Sequence, residues 1–414
     1  VQREPTPPTE EPLTRPIGTA SATGTTANTI EGQTYTQLQR LGVTAMRDSG
    51  YVGTGVLICM LDDGFNYQTK HTATRNIRVL ARRDFVEGDT TVTDTVTSPS
   101  SFQHGQMTLS TVGGNAPYIY RGPACGASFM LGRTEYDPTE TPIEMTNWAM
   151  GVEWADSAGA DIISSSLGYN VFDAPYPSIT NAMLDGHTAA ITRAAEIAAS
   201  RGILVVNSAG NDGTAYKIAA PSDANGDSVL CVGAVDSSGV RAGFSSMGPT
   251  ADKRIKPDLA AQGVSVLVAS ASGGANSYSR VSGTSFSCPL TAGLAACMMQ
   301  ARPSWPAVLI IRALKKTASK ASSPDTLYGC GIPNGLAALR WVNDTAGVPE
   351  SPLTGLTFAC RGANPLRAGA PTRLHAATRM PGCPRADARC AAEVPALREV
   401  APGQFAACHH PLTA

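Results

Sequence analysis

Short runs with no polar residue in their interior recur along the chain, and they constrain its fold more than any other feature. GVLICML (residues 55–61), ILVVN (203–207) and SVLCVGAV (228–235) show no alternation of polar with apolar residues. Each therefore reads as a strand covered on both faces, not one with a wetted side. Asp161–Ser165 reads as a further short strand. Between these runs lie stretches with apolar residues at helical spacing that stop at glycine: Met145–Ser157 before Gly159, and Ile191–Ser200 before Gly202. A helix with Pro289 in its first turn is expected after Ser285, running to about Gln300. Another, opened by Ser304 and Pro306, extends through Lys316. Strands alternating with helices predict an α/β fold of three layers, a mostly parallel twisted sheet with helices on both faces.

Composition sets the limits of that domain. Residues 1–34 begin with a Pro/Thr cluster (Pro5-Thr6-Pro7-Pro8-Thr9) and hold few large apolar residues, so they read as a linker or the remnant of a removed propeptide. The strand and helix pattern fills residues 35–343. Residues 344–414 are dominated by Ala, Pro, Arg and Gly with no periodicity that could bury a face, and are expected to be a disordered tail. The net charge of -1 gives no reason to expect nucleic acid or an anionic membrane as partner. No apolar run approaches the roughly 18–20 residues that span a bilayer. Val1 is not followed by a charged and then apolar leader pattern, so a signal peptide is not expected within this chain. Ten cysteines are present, six of them (Cys59, Cys125, Cys231, Cys288, Cys297, Cys330) in the patterned region. None of the six forms a C-x-x-C pair, and the sequence assigns no disulfide. In the tail, Cys383, Cys390, Cys408, His409 and His410 are spaced too irregularly for a zinc site, so no metal is expected there.

Four stretches place a reactive side chain beside glycine at the end of an element. In LDDGF (61–65), Asp62 closes a buried run and Gly64 releases the chain. A carboxylate there would lie on the rim where open α/β sheets bind ligands. In QHGQMTLSTVGG (103–114), His104 precedes a string of small residues able to pack a helix closely against a neighbour. His71 and His187 are the rival bases, but neither is followed by glycine. In SGTSFSCP (282–289), Ser285 stands at a helix start, where unpaired N–H groups and the positive end of the dipole favour developing negative charge. A plain Ser/Thr helix cap is the bland alternative. In VVNSAGNDG (205–213), the side-chain amide of Asn211 could donate to an oxyanion.

Together the four stretches resemble the subtilases, the subtilisin-like serine proteases, whose motifs are Asp-x-Gly after a strand, then HG, AGN and GTSxxxP. All four occur here in that order, and the resemblance spans roughly residues 50–338, including VGAVD (232–236), FSSMGP (244–249) and KPDLAAQG (256–263). GRTEY (132–136), EMTNW (144–148), SLGYN (166–170) and DGHTAA (185–190) look like a secreted bacterial branch. The resemblance implies a catalytic triad of Asp62, His104 and Ser285 with Asn211 as oxyanion donor. It implies a polypeptide substrate bound as an added strand along Ser164, Ser165, Ser166, Leu167 and Gly168. Ser208, Ala209, Gly210 and Asn211 would form one wall of the pocket for the residue before the scissile bond (P1), with Ala219 near its floor. It further implies secretion, or an extracellular or periplasmic location, and a cleaved propeptide. No cofactor is required; Gly105–Gly132 holds no Asp or Glu, so the calcium loop many relatives carry after the histidine is not expected, which leaves calcium elsewhere open. Asp63 stands where Ser or Thr usually follows the catalytic Asp, and its charge is expected to shift the pH profile. Gln106, Met107, Phe286, Ser287 and Cys288 also depart from the usual pattern, but no triad position is lost. An α/β-hydrolase would need a second glycine after Ser285, and a sedolisin would not need His104. A pseudoprotease acting as a binding module is the non-enzyme alternative.

Overall fold

The uniformly apolar runs assemble into one sheet in which every neighbouring pair is parallel. In the computed structural model its order is Leu259–Gln262, Val229–Val235, Leu204–Ser208, Ile162–Ser165, Leu57–Asp62, Ser128–Arg133 and Arg78–Asp84. The structure describes residues 29–93, 103–214, 218–227, 229–270 and 273–341, with short strand pieces at 11–12, 358–359, 375–376, 398–401 and 404–406. The chain divides into two units, residues 1–341 and 342–414. In the second, Phe358–Ala359 pairs with His375–Ala376, and Arg398–Ala401 with Gln404–Ala406. Most of the Pro/Thr-rich N-terminal segment, and Cys383, Cys390, Cys408, His409 and His410, lie outside the described residues.

Each strand read from apolarity is present with its ends moved by one or two residues. The first begins at Leu57 because Gly55, at φ +84°, still belongs to the turn. Leu57–Asp62 is buried at every position. The edge strand Arg78–Asp84 is the exception; its arginines protect an unpaired edge from further pairing.

Two adjacent serines show that the sheet is covered on both sides. Ser164 Oγ lies 3.9 Å from Cys288 Sγ in the helix Thr284–Ala301, whereas Ser165 Oγ accepts a hydrogen bond from Trp148 Nε1 (3.0 Å) in the helix Ile143–Ser157. Consecutive residues of a strand face opposite ways, so these helices occupy opposite layers. The helix His104–Gly113 packs beside Thr284–Ala301, and Ala190–Ser200 beside Ile143–Ser157. Thr284–Ala301 is small or apolar around nearly its whole circumference and buried from Thr284 to Met298, as a central helix must be. It starts one residue before Ser285, so Pro289 falls in its second turn and not, as expected, in its first. The helix Ala307–Lys316 has Pro306 at its N-cap and takes no side-chain cap from Ser304.

The chain enters the sheet in the middle. From Leu57–Asp62 it passes outward to Arg78–Asp84, returns through Ser128–Arg133, and then crosses to Ile162–Ser165 on the other side of the first strand. Connections leaving Asp62 and Ser165 therefore diverge, which opens a crevice at the carboxyl ends of these two strands.

Two residues past the strand Ser128–Arg133, Glu135 is wholly buried. Its Oε1 accepts from Thr134 Oγ1 (2.6 Å) and Tyr169 Oη (2.7 Å). Burial pushes its carboxyl well above the ordinary carboxylate range, and nearby Glu144, itself raised by burial, adds to the effect. A carboxyl raised in the folded state stabilises the fold while protonated. That contribution is complete below the ordinary value of 4.5 and is lost as pH climbs through the raised one. Glu135→Gln is therefore expected to raise Tm at about pH 9 by a few °C and to change it little at about pH 5. Thermal unfolding at the two pH values checks this; equal effects at both would show that Glu135 is not protonated in the fold.

Candidate active site

Asp62 ends its strand on the rim of the crevice with a fully buried carboxylate. Oδ1 accepts from His104 Nδ1 (2.7 Å) and from the Asp63 N–H (2.9 Å), while Oδ2 accepts from Thr108 Oγ1 (2.9 Å). Burial alone would push this carboxyl up. The charge and hydrogen bond of His104, with the bonds from Asp63 and Thr108, instead hold it below the ordinary carboxylate value. A carboxylate can only accept, so His104 Nδ1 carries the proton and Nε2 is left as the basic nitrogen.

His104 is the first residue of its helix, and its short distance from Asp62 depends on Gly105. A Cβ at Gly105 would collide with the Gly64 carbonyl and lie 2.9 Å from Asp62 Cβ. The glycine that follows the histidine therefore lets the helix start against the strand end. Farther along, a Cβ on Gly113 would run into the Phe129 ring, so small residues hold the whole helix close. Thr108, one turn after His104, was not picked out by the sequence reading; its i+4 spacing is the signal that puts it on the same face.

Ser285 is the second residue of the helix Thr284–Ala301 and is almost fully buried. Its Oγ donates to the Ser166 carbonyl (3.3 Å), and Ser166 Oγ donates to the Ser285 carbonyl (2.8 Å). Pro289 explains the second bond: it has no N–H to give the carbonyl four residues before it, so that acceptor goes to Ser166. Phe286, the next residue, has its ring centroid 6.0 Å from that of His104. Asn211 reaches the same helix end. Its Oδ1 accepts from both the N–H and the Oγ1 of Thr284, each at 2.9 Å. A backbone N–H can only donate, so the amide oxygen is the atom facing Thr284 and Nδ2 is the outward donor. Thr284 Oγ1 also accepts from the Gly210 N–H (3.3 Å). The sequence reading gave Thr284 no role, although it lies inside the GTS motif.

Ser166, Leu167, Gly168, Ser208, Ala209, Gly210 and Ala219 come together around the crevice. Ala219 lies between the two glycine walls: a Cβ on Gly168 would be 2.7 Å from Ala219 Cβ, and one on Gly210 3.3 Å. Ser208 Oγ lies 3.5 Å from the Leu167 carbonyl, and the Ala219 N–H donates to Ala209 (3.0 Å). Two expected substrate contacts do not hold. Ser164 and Ser165 sit inside the sheet with strands paired on both sides, and neither has an edge to offer a peptide. Of the five residues expected to bind substrate here, Ser166, Leu167 and Gly168 lie beyond the strand end. Of the rival bases, His71 is buried with Nε2 on the Ser277 carbonyl (2.7 Å) and Nδ1 accepting from the Ala73 N–H (3.1 Å), a structural histidine. Asp212, directly after Asn211, was also passed over. Its Oδ2 is buried with no partner among the described residues, and burial pushes its carboxyl up. Asp62, Asp63 and His104 bring ligand atoms within 4.8 Å of one another. Of these, Asp62 Oδ1 and His104 Nδ1 are hydrogen-bonded to each other at 2.7 Å.

The model of the Subtilase family matches residues 53–331. Subtilisin BL of Lederbergia lenta is 30% identical over 304 residues, covering 73% of this chain and 97% of that protein. Subtilisin DY of Bacillus licheniformis is 31% identical over 305 residues, covering 70% and 93%. Among solved structures, the MycP3 protease from the type VII (ESX-3) secretion system superposes with a TM-score of 0.61 at 22% identity, covering 77% of this chain and 90% of that one. A protease of Pseudoalteromonas arctica PAMC 21717 gives 0.59 at 23%, covering 75% and 98%. A buried Asp–His pair packed against the helix that carries Ser285, on the carboxyl edge of a parallel sheet, is found in a chain that belongs to the subtilase family of serine endopeptidases.

Proposed function

We propose that Asp62, His104 and Ser285 carry out the endopeptidase reaction as a triad. The observation that carries this reading is the 2.7 Å bond from His104 Nδ1 to a buried Asp62, which leaves Nε2 as the base next to the Ser285 helix. His104 takes the hydroxyl proton as Ser285 Oγ attacks the scissile carbonyl, and Asp62 stabilises the imidazolium that forms. The same proton passes to the leaving amine, and an acyl group remains on Ser285 until water removes it by the reverse steps. Asn211 Nδ2 and the Ser285 backbone N–H, in the first helical turn, hold the oxyanion. The peptide lies along Ser166–Gly168 as an added strand. Ala219 between Gly168 and Gly210 supports a P1 pocket that accepts large apolar side chains.

Secretion, and removal of a propeptide, extend the same reading. Among the described residues no helix is long and apolar enough to cross a membrane. One fold neighbour, MycP1, has been solved with its N-terminal propeptide removed.

Fluorophosphonate labelling and casein hydrolysis test the triad. The wild type is expected to label and to cut casein, and Ser285→Ala to do neither. A folded wild type that does neither would be a pseudoprotease, and one that labels without cutting casein an esterase. Asn211→Ala is expected to lose roughly 10²–10³ in kcat, the loss known for removing one such donor from a subtilisin. Wild-type turnover in that variant would remove Asn211 from the oxyanion site. A peptide-library profile dominated by Arg or Lys at P1 would defeat the apolar pocket and direct attention to Asp212.

A further inference from the structure

Asp63 bonds to both sides of the Asp62–His104 pair. Its N–H donates to Asp62 Oδ1 (2.9 Å), and its own Oδ1 accepts from the backbone N–H of Gly105 (2.8 Å), the residue after His104. The helix that starts at His104 has no side-chain cap from its N-cap Gln103 and no acid of its own in the first turn. A buried carboxylate from the neighbouring strand end takes that place; Asp63 is 2% exposed. An ionised acceptor on an N–H at a helix N-terminus makes a charge-assisted bond and faces the positive end of the dipole.

We infer that Asp63 is a positioning residue for His104, acting by anchoring the first turn of the helix and by setting a second negative charge beside the imidazole. This inference rests on the triad reading above. The helix touches the strand end through Gly105, which has no side chain to lock it there. Hydrogen bonds must therefore fix how the helix start sits on the strand. Without the Asp63 bond the first turn can shift, carrying the imidazole with it, and a displacement of about 1 Å at a reacting group can cost on the order of 10²-fold in rate. The charge acts separately. It favours the imidazolium, so removing it makes the neutral base available at lower pH.

Few other titratable groups face the pair. Cys288, from the Ser285 helix, has its thiol pushed up to about 12 by burial and is neutral. Tyr120 and Tyr278, near the far end of the His104 helix, are likewise raised by burial. Arg121 is tied to Asn115 (3.1 Å), and the packed strand Val266–Ala269 carries no titratable side chain.

The test compares wild type with Asp63→Asn, which keeps an oxygen acceptor but no charge, and Asp63→Ala, which keeps neither. Asp63→Ala is expected to lower kcat roughly 10–100-fold with KM within about twofold. Asp63→Asn is expected to keep kcat within about threefold and to move the acid limb of the kcat/KM profile to lower pH. A kcat within about twofold of wild type in Asp63→Ala overturns the anchoring role, and an unmoved acid limb in Asp63→Asn overturns the charge effect. Should Asp63→Ala fail to fold, the Asp63→Asn profile decides. Ser285→Ala, assayed in parallel, separates the two readings. Loss of hydrolysis there, beside wild-type turnover in Asp63→Ala, sinks the anchoring role alone. Hydrolysis retained in Ser285→Ala sinks both.

Discussion

The close approach of one helix start to one strand end governs the rest of the site. His104 reaches Asp62 only because Gly105 has no Cβ to collide with the Gly64 carbonyl, and because the residues along the helix are small enough to lie against Phe129. The parallel sheet supplies the other half of the condition. The chain reverses direction across the sheet between Leu57–Asp62 and Ile162–Ser165, so connections leave the two carboxyl ends in opposite directions and the crevice between them stays open. A helix placed a residue farther away would leave Asp62 buried without its strongest partner.

A second junction joins the start of the Ser285 helix to the stretch that follows Ile162–Ser165. Pro289 removes a hydrogen-bond donor inside the central helix, which in isolation weakens a helix. Here the released carbonyl is that of Ser285, and Ser166 Oγ occupies it at 2.8 Å. Ser166, the first residue beyond the strand, is thereby fixed to Ser285, the proposed nucleophile. On the other side, Thr284 holds Asn211 by its amide oxygen and takes the Gly210 N–H, so Gly210 and Asn211 share one anchor. The helix start thus holds Ser285, Asn211 and Ser166 in one fixed relation, as the proposed nucleophile, oxyanion donor and substrate stretch would require.

This division explains which parts of the molecule were legible in the sequence. Strands buried on both faces announce themselves because nothing polar interrupts them, and their ends moved by no more than two residues, the largest shift being where Gly55 extends a turn. The stretches around Asp62, His104, Ser285 and Asn211 stood out in the sequence because glycine directly follows His104 and directly precedes Asn211, and stands two residues after Asp62 and two before Ser285. Ser164 and Ser165 were misread: adjacency in sequence to Ser166 says nothing about where a strand stops being paired. Thr108, Thr284 and Asp63 were not assigned their contacts, since each works through a bond to a partner distant in sequence or to a backbone group. Such contacts leave no pattern in composition or spacing beyond the i+4 relation of Thr108 to His104.

The ionisation of Asp62 shows that this geometry serves chemistry before stability. Removing a carboxylate from water costs several kcal/mol, and an ion pair in the interior often does no more than offset it. Asp62 is fully buried, yet its carboxyl is held below the ordinary value, so the three donors around it outweigh the burial that opposes them. Glu135, equally buried but facing Glu144 and hydroxyl donors with no cation bonded to it among the described residues, goes the other way and retains its proton. The same burial thus yields a charged acid in one place and a neutral one in another, and the deciding difference is the imidazole. A group kept ionised in a dry site against that cost orients His104 and favours its protonated form, which a hydrophobic side chain of the same volume could not do.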